Sequence, residues 1–217
     1  GDFKPPMYAY LSIIPVKIFG LTEFAVRFVS AFFGSLTVLL TYFLTREIFR
    51  RIKQNSTQNH AESKQEHLTF DIGNLKLDIP IVAAALLAVS PWHIMLSRAA
   101  FEANVATFFL VSGVFLFLRG VQKAPWLLSL SAVSFVASMY TFNTSRIVAP
   151  LLVIMLVIGF WRKLLTYKKQ TATAIIIGLA VLLPIVPFLM SDQAKLRFKE
   201  VNIFTDASVV NGANQEV

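Results

Sequence analysis

Glu23 to Phe49 reads EFAVRFVSAFFGSLTVLLTYFLTREIF, and between Phe24 and Phe49 its only charges are Arg27 near the start and Arg46 and Glu47 near the end. A run of that length covers the ~30 Å hydrocarbon core of a bilayer, which takes about 17–25 helical residues. Five further apolar runs follow: Ile79 to Met95, Ala100 to Leu118, Trp126 to Phe142, Ile147 to Phe160 and Ala172 to Met190. Ile147 to Phe160 is short for a span and needs help from its flanks. Ahead of them Met7 to Phe19, interrupted by Pro15 and Lys17, is too short to cross and reads as an interfacial helix. The expected fold class is therefore all-α and integral to the membrane: a polytopic transmembrane helix bundle of about six spans plus an interfacial helix.

Composition agrees. Hydrophobic residues make up 56% of the 217 and charged residues only 15%, a balance that a soluble domain does not carry. There is no cysteine, which removes disulfides, thiolate metal sites and a cysteine nucleophile. The net charge of +8 sits largely in the segments between apolar runs, so membrane topology explains it and a nucleic-acid partner is not expected.

Lys and Arg set the orientation. Arg46, Arg50, Arg51, Lys53, Lys64, Lys76, Arg119, Lys123, Arg162, Lys163, Lys168 and Lys169 fall on one side, and Lys4, Lys17, Arg27, Arg98, Arg146, Lys195, Arg197 and Lys199 on the other. The first side, with twelve against eight, is expected to be cytoplasmic. Residues 1–190 then form a transmembrane core, with 51–78 as a cytoplasmic loop, and 191–217 begin an external segment or domain. The chain opens on Gly and stops in NGANQEV, so it is expected to be a piece of a longer protein. Asn55-Ser56-Thr57 and Asn143-Thr144-Ser145 match the glycosylation pattern, but one lies on the wrong side and the other abuts a span.

The informative charges are those on the side that the positive-inside rule leaves poor in cations. Lys4 in DFKPPMYAY, Arg27 in EFAVRFVS, Arg98 in SPWHIMLSRAAFEAN and Arg146 in MYTFNTSRIVAP come from separate segments that topology brings to one face. Glu23–Arg27 and Arg98–Glu102 each pair an acid with a base four residues away, which on a helix shares one face. Asn104, Tyr140, Asn143 and His93 add hydrogen-bonding groups at that level. Guanidinium groups with an ammonium at the lipid edge suit a phosphate or pyrophosphate headgroup, such as that of a polyprenyl-phosphate carrier. The same residues could instead snorkel to lipid headgroups or form neutralised pairs. His93 has no second His or any Cys near it, so no metal ligand set is read there. GxGxxG, P-loop and Ser-His-acid patterns are absent.

The order DFKPPMYAYL, then KIFGLTEFAVRFVSAFFGSLTVLLTYFLTREIF, then SPWHIMLSRAAFEANVATFFLVSGVFLFLRG, then YTFNTSRIVAPLLVI resembles the membrane core of the lipid-carrier-dependent glycosyltransferases of GT-C type. That group includes protein O-mannosyltransferases and aminoarabinose transferases. The resemblance covers roughly Asp2 to Pro150 and is most specific from KPP through the long helix. It implies an enzyme of a bacterial or archaeal plasma membrane that moves a sugar, with inversion, from a dolichyl- or undecaprenyl-phosphate donor to a protein, lipid or glycan acceptor on the outer or luminal side. By likeness Lys4 lies near the donor phosphate and Arg27 holds the place of the family's arginine on the long helix. Arg98 and Arg146 join them as donor-phosphate residues, and Glu23, Glu102, Asn104, Tyr140 and Asn143 as cavity-lining residues. The family's catalytic acid is expected upstream of residue 1, with Asp2 a weak candidate, so the piece alone is expected to be inactive. No cofactor is assigned, and a divalent metal stays open because relatives differ. A secondary transporter or lipid flippase is the alternative; it predicts helices broken by Gly or Pro, as Pro184 and Pro187 could do. A non-catalytic scaffold is the third.

Overall fold

The computed structural model describes residues 7–59, 69–72 and 75–185. Asp2, Lys4 and the segment 191–217 lie outside the described residues. The helices are α1 (Met7–Phe19), α2 (Glu23–Asn59), α3 (Ile79–Val89), α4 (Pro91–Arg98), α5 (Glu102–Gln122), α6 (Leu127–Thr141), α7 (Ser145–Thr166) and α8 (Lys168–Leu182), followed by a 3-10 turn at Leu183–Ile185. The chain divides into compact units 1–178 and 179–217; of the second, the end of α8 and the 3-10 turn are described.

The fold is a helical membrane bundle. Among the described residues three helical stretches, Glu23–Ile52, Glu102–Gln122 and Ser145–Thr166, are long and apolar enough to cross, and α3 with α4 makes a fourth if the bent pair is one span. The expected six spans are thus reduced, for three physical reasons. Ile79 to Met95 is not one helix: Ser90 is extended (φ −58°, ψ 122°), α3 and α4 meet at 56°, and Pro91 accounts for it by disfavouring the helical conformation of the residue before it. Helix α6 has only 15 residues. Helix α8 also has 15 and ends at Leu182, two residues before Pro184, so Ala172 to Met190 is not a continuous helix. Ile147 to Phe160 gains what it lacked, since α7 runs on to Thr166 across a local kink at Phe160.

The stretch 51–78 contains described secondary structure. Helix α2 continues through it to Asn59, and Thr69–Ile72 pairs antiparallel with Leu75–Asp78, Thr69 opposite Asp78 and Ile72 opposite Leu75.

Helices α2 and α5 run parallel, as the order of their contacts shows: Phe33 meets Phe108 at 5.1 Å between ring centroids, Phe43 meets Phe115 at 6.4 Å, and Arg51 donates to the Leu118 carbonyl. Helix α6 returns antiparallel against α5 through small residues. Ser131 Oγ donates to the Gly113 carbonyl at 2.7 Å, and a Cβ on Gly113 would sit 3.0 Å from the Phe135 ring. Two turns on, a Cβ on Gly120 would sit 3.0 Å from Leu128. Without a hydrophobic driving force between helices in lipid, such close backbone approach supplies packing and hydrogen bonds. Phe117, Leu118, Val121, Leu128, Leu164 and Ala174 form a buried core at the end of the bundle where α5 stops. Elsewhere large apolar side chains such as Ile154, Met155 and Ile158 of α7 point outward, as lipid-facing residues do.

Gly113→Val is expected to destabilise the bundle by about 1–3 kcal/mol through overpacking against Phe135. Gly159→Ala, with nothing within 4 Å of the added methyl, should not. Comparing the two variants' denaturation midpoints in detergent checks this, and equal midpoints would remove the seam from the account.

Candidate functional site

One end of the bundle collects the start of α2, the α4–α5 corner, the end of α6 and the start of α7. Helix α2 enters after Gly20, whose positive φ of 74° ends α1 and which a side chain would strain. Tyr8 on α1 donates from its hydroxyl to the Val26 carbonyl at 2.8 Å and so ties the interfacial helix to α2. Burial raises the Tyr8 pKa above its ordinary 10.0, the backbone of Ser30 opposes this, and the Glu102 carboxylate adds to it. The phenol therefore stays a proton donor at neutral pH, and Glu102 lies within electrostatic reach of α1.

The junction behind these groups is a buried hydrogen-bonded knot. Asn104, 1% exposed, donates from its amide to the Ser30 carbonyl at 2.8 Å and to Ser97 Oγ at 3.1 Å. Ser30 Oγ donates to the Leu96 carbonyl at 2.8 Å. Half-buried His93 places Nε2 3.1 Å from the Gly34 carbonyl, which requires the proton on that nitrogen. Gly34 is what lets the helices close: a Cβ there would meet Ser97 Oγ at 2.3 Å and Asn104 Nδ2 at 2.6 Å.

Glu23 and Arg27 form the expected pair, Oε2 to Nη2 3.4 Å, both largely in the open at 84% and 57%. An exposed pair of this kind is worth about 0–1 kcal/mol, so its guanidinium remains available to another anion. Arg98 and Glu102 do not share a helix face. Ala100 sits at φ 55°, in the left-handed region, so α4 ends at Arg98, α5 begins at Glu102 and no ion pair joins them. Arg98 is exposed and Glu102 half-buried. Both Asn104 amide donors are engaged in the knot, with the Ser30 carbonyl and with Ser97 Oγ. Tyr140 and Asn143 are half-buried at the α6–α7 turn, and Asn143 Oδ1 is buried without a hydrogen-bond partner. Arg146 is half-buried in the first turn of α7, where the helix macrodipole is already positive and a cation is otherwise disfavoured. The bundle thus brings Glu23, Arg27, Arg98, Glu102, Asn143 and Arg146 to one end. Among the described residues no three His, Asp or Glu side chains converge as a metal ligand set.

Tyr8, Ser30, Gly34 and Ser97 are positioning residues that the sequence pattern did not reveal; Ser30, one turn after Arg27 among small residues, was the available signal. The far end holds another unexpected cluster. Glu47, 5% exposed, lies 3.9 Å from Arg50, and the Gln122 amide, oriented to satisfy both neighbours, donates to Glu47 Oε1 at 2.6 Å and accepts from Arg51 Nε at 2.8 Å. Arg51 also lies 5.1 Å over the Phe160 ring.

The family model of dolichyl-phosphate-mannose-protein mannosyltransferase matches residues 3–55, which carry KPP, Glu23, Arg27 and all the membrane-crossing part of α2. The match is shorter than Asp2 to Pro150 and is a likeness over the first quarter of the chain, α1 and the membrane-crossing part of α2. No curated protein and no solved structure matches the chain.

Asn104→Ala is expected to lower stability by about 1–2 kcal/mol, since it orphans the buried Ser30 carbonyl and frees Ser97. Binding of lipid phosphates, measured well below the denaturation midpoint, should stay unchanged. A stable variant with altered binding would instead make Asn104 part of the binding surface.

Proposed function

We propose that the chain is the carrier-binding core of a membrane glycosyltransferase that takes a sugar from a polyprenyl-phosphate donor and delivers it, with inversion, to an acceptor on the outer or luminal side. The observation that carries this is the match over residues 3–55, because it falls on the segment that holds Lys4 and Arg27. Arg98 and Arg146 support it by lying at the same end of the bundle as Arg27, on three different helices. A phosphate there would meet separated guanidinium groups and the positive end of α7 together.

Chemically, these residues hold the leaving group. As an acceptor hydroxyl or amine loses its proton to a carboxylate and attacks the anomeric carbon, the bond to the carrier phosphate breaks, and Lys4, Arg27, Arg98 and Arg146 meet the charge that grows on it. The Tyr8 hydroxyl and the Ser30–Ser97–Asn104 knot keep Arg27 and Arg98 in place. By the family resemblance the carboxylate comes from upstream of residue 1.

The break between α3 and α4 favours a second reading, a transporter or lipid flippase, since such folds use broken helices. Transfer of radiolabel from a polyprenyl-phosphate sugar to an acceptor, against movement of the intact carrier between leaflets, separates the two.

In the full-length protein Lys4→Ala, Arg27→Ala and Arg146→Ala are each expected to weaken carrier binding by about 1–3 kcal/mol, the loss typical of a charged hydrogen bond. Arg46→Ala, at the far end of α2, should leave binding and transfer alone. Carrier titrations of the four variants check this; a uniform response would reduce the outer cations to topological flanks.

A further inference from the structure

We infer that the end of the bundle opposite the proposed donor site carries a second anion site, a cleft for a phosphate group that in its membrane setting is the headgroup of an anionic lipid. The cleft, of about 380 Å³, is lined by Val121, Gln122, Lys123, Lys163, Thr166 and Tyr167, at the C-terminal ends of α5 and α7. Helix α5 has 21 residues and so extends about 30 Å, the thickness of the hydrocarbon core. Its last turn accordingly stands at headgroup level when its first turn does.

Two lysines at helix C-termini have an ordinary explanation, which is that they offset the macrodipoles. The magnitudes leave a surplus. Two helix ends contribute about −0.5 charge each, against two full positive charges. Three of the carbonyls near these ends are moreover already engaged: Lys123 N–H donates to Arg119 O at 2.9 Å, Tyr167 N–H to Lys163 O and Leu164 O, and Thr171 Oγ1 to Leu164 O at 3.2 Å. No acidic residue lines the cleft. The nearby Glu47 carboxylate is taken up by Arg50 and Gln122, the latter being the wall residue that fixes the cleft to α2. Exposed Lys123 and Lys163, with half-buried Tyr167 beside them, therefore form a net positive cleft, while Thr166 and Gln122, already bonded to the Arg162 carbonyl and to Glu47 and Arg51, complete its wall. Basic pockets between membrane helices bind anionic headgroups on these terms, each lysine contributing about 1 kcal/mol. The site does not depend on the glycosyltransferase proposal.

Native mass spectrometry of the full-length protein in detergent, titrated with phosphatidylglycerol, with phosphatidylcholine and separately with inorganic phosphate, tests it. Lys123→Gln with Lys163→Gln should weaken phosphatidylglycerol retention about thirtyfold, whereas Lys168→Gln with Lys169→Gln, on the same face but outside the cleft, should leave it unchanged. If inorganic phosphate displaces the lipid with the same lysine dependence, the site stands and its ligand is a soluble phosphate. If it does not compete, the ligand is the lipid. Equal losses in the two double variants, no loss in either, or equal retention of phosphatidylcholine would overturn the inference.

Discussion

The Asn104 amide, shared between the Ser30 carbonyl and Ser97 Oγ, is the contact on which the candidate site depends. It joins three helices whose ends carry Arg27, Arg98 and Glu102. In an apolar medium a buried amide without partners costs several times what a made hydrogen bond contributes, so the knot tolerates one arrangement of α2, α4 and α5. Gly34 sets its depth, because any side chain would occupy the space of Ser97 and Asn104. The charged groups themselves add little to stability. They are free to do something else because the knot does the holding.

The two ends of the bundle use charge differently. At the proposed donor end the cations are spread over separate helices, and Glu23–Arg27 is open to water. At the other end Glu47, Arg51 and Gln122 lock α2 to α5, Arg51 reaching the Leu118 carbonyl and the Phe160 ring. Breaking one partner of such a buried set leaves an uncompensated charge, which makes it a rigid staple. Between the ends, parallel α2 and α5 are zipped by phenylalanines and α5 and α6 by glycines and serines.

Much of this was legible in the sequence. The interfacial helix has the bounds expected for it, Met7–Phe19, since Gly20 closes it. The long run from Phe24 is the principal helix, and Glu23 and Arg27 pair at the expected spacing. The misses have local causes. The α3–α4 bend was signalled by Ser90–Pro91 and outvoted by the apolar run around it. The positive φ of Ala100, which separates Arg98 from Glu102, has no signal, because alanine is an excellent helix former and only packing imposes that conformation. The Asn104–Ser30 bond could not be read in advance, because a polar residue beginning an apolar helix gives no hint of a partner 74 positions earlier. The helical continuation to Asn59 runs through polar residues with no hydrophobic period to announce it.

Equilibrium binding of undecaprenyl phosphate and of the uncharged polyprenol of the same length, to the purified full-length protein at low and high salt, tests the central claim most directly. A phosphate clamp predicts tight, salt-sensitive binding of the phosphate and weak, salt-indifferent binding of the alcohol. Equal affinity for the two lipids would contradict it, because the cations at that end of the bundle would then play no part in carrier recognition.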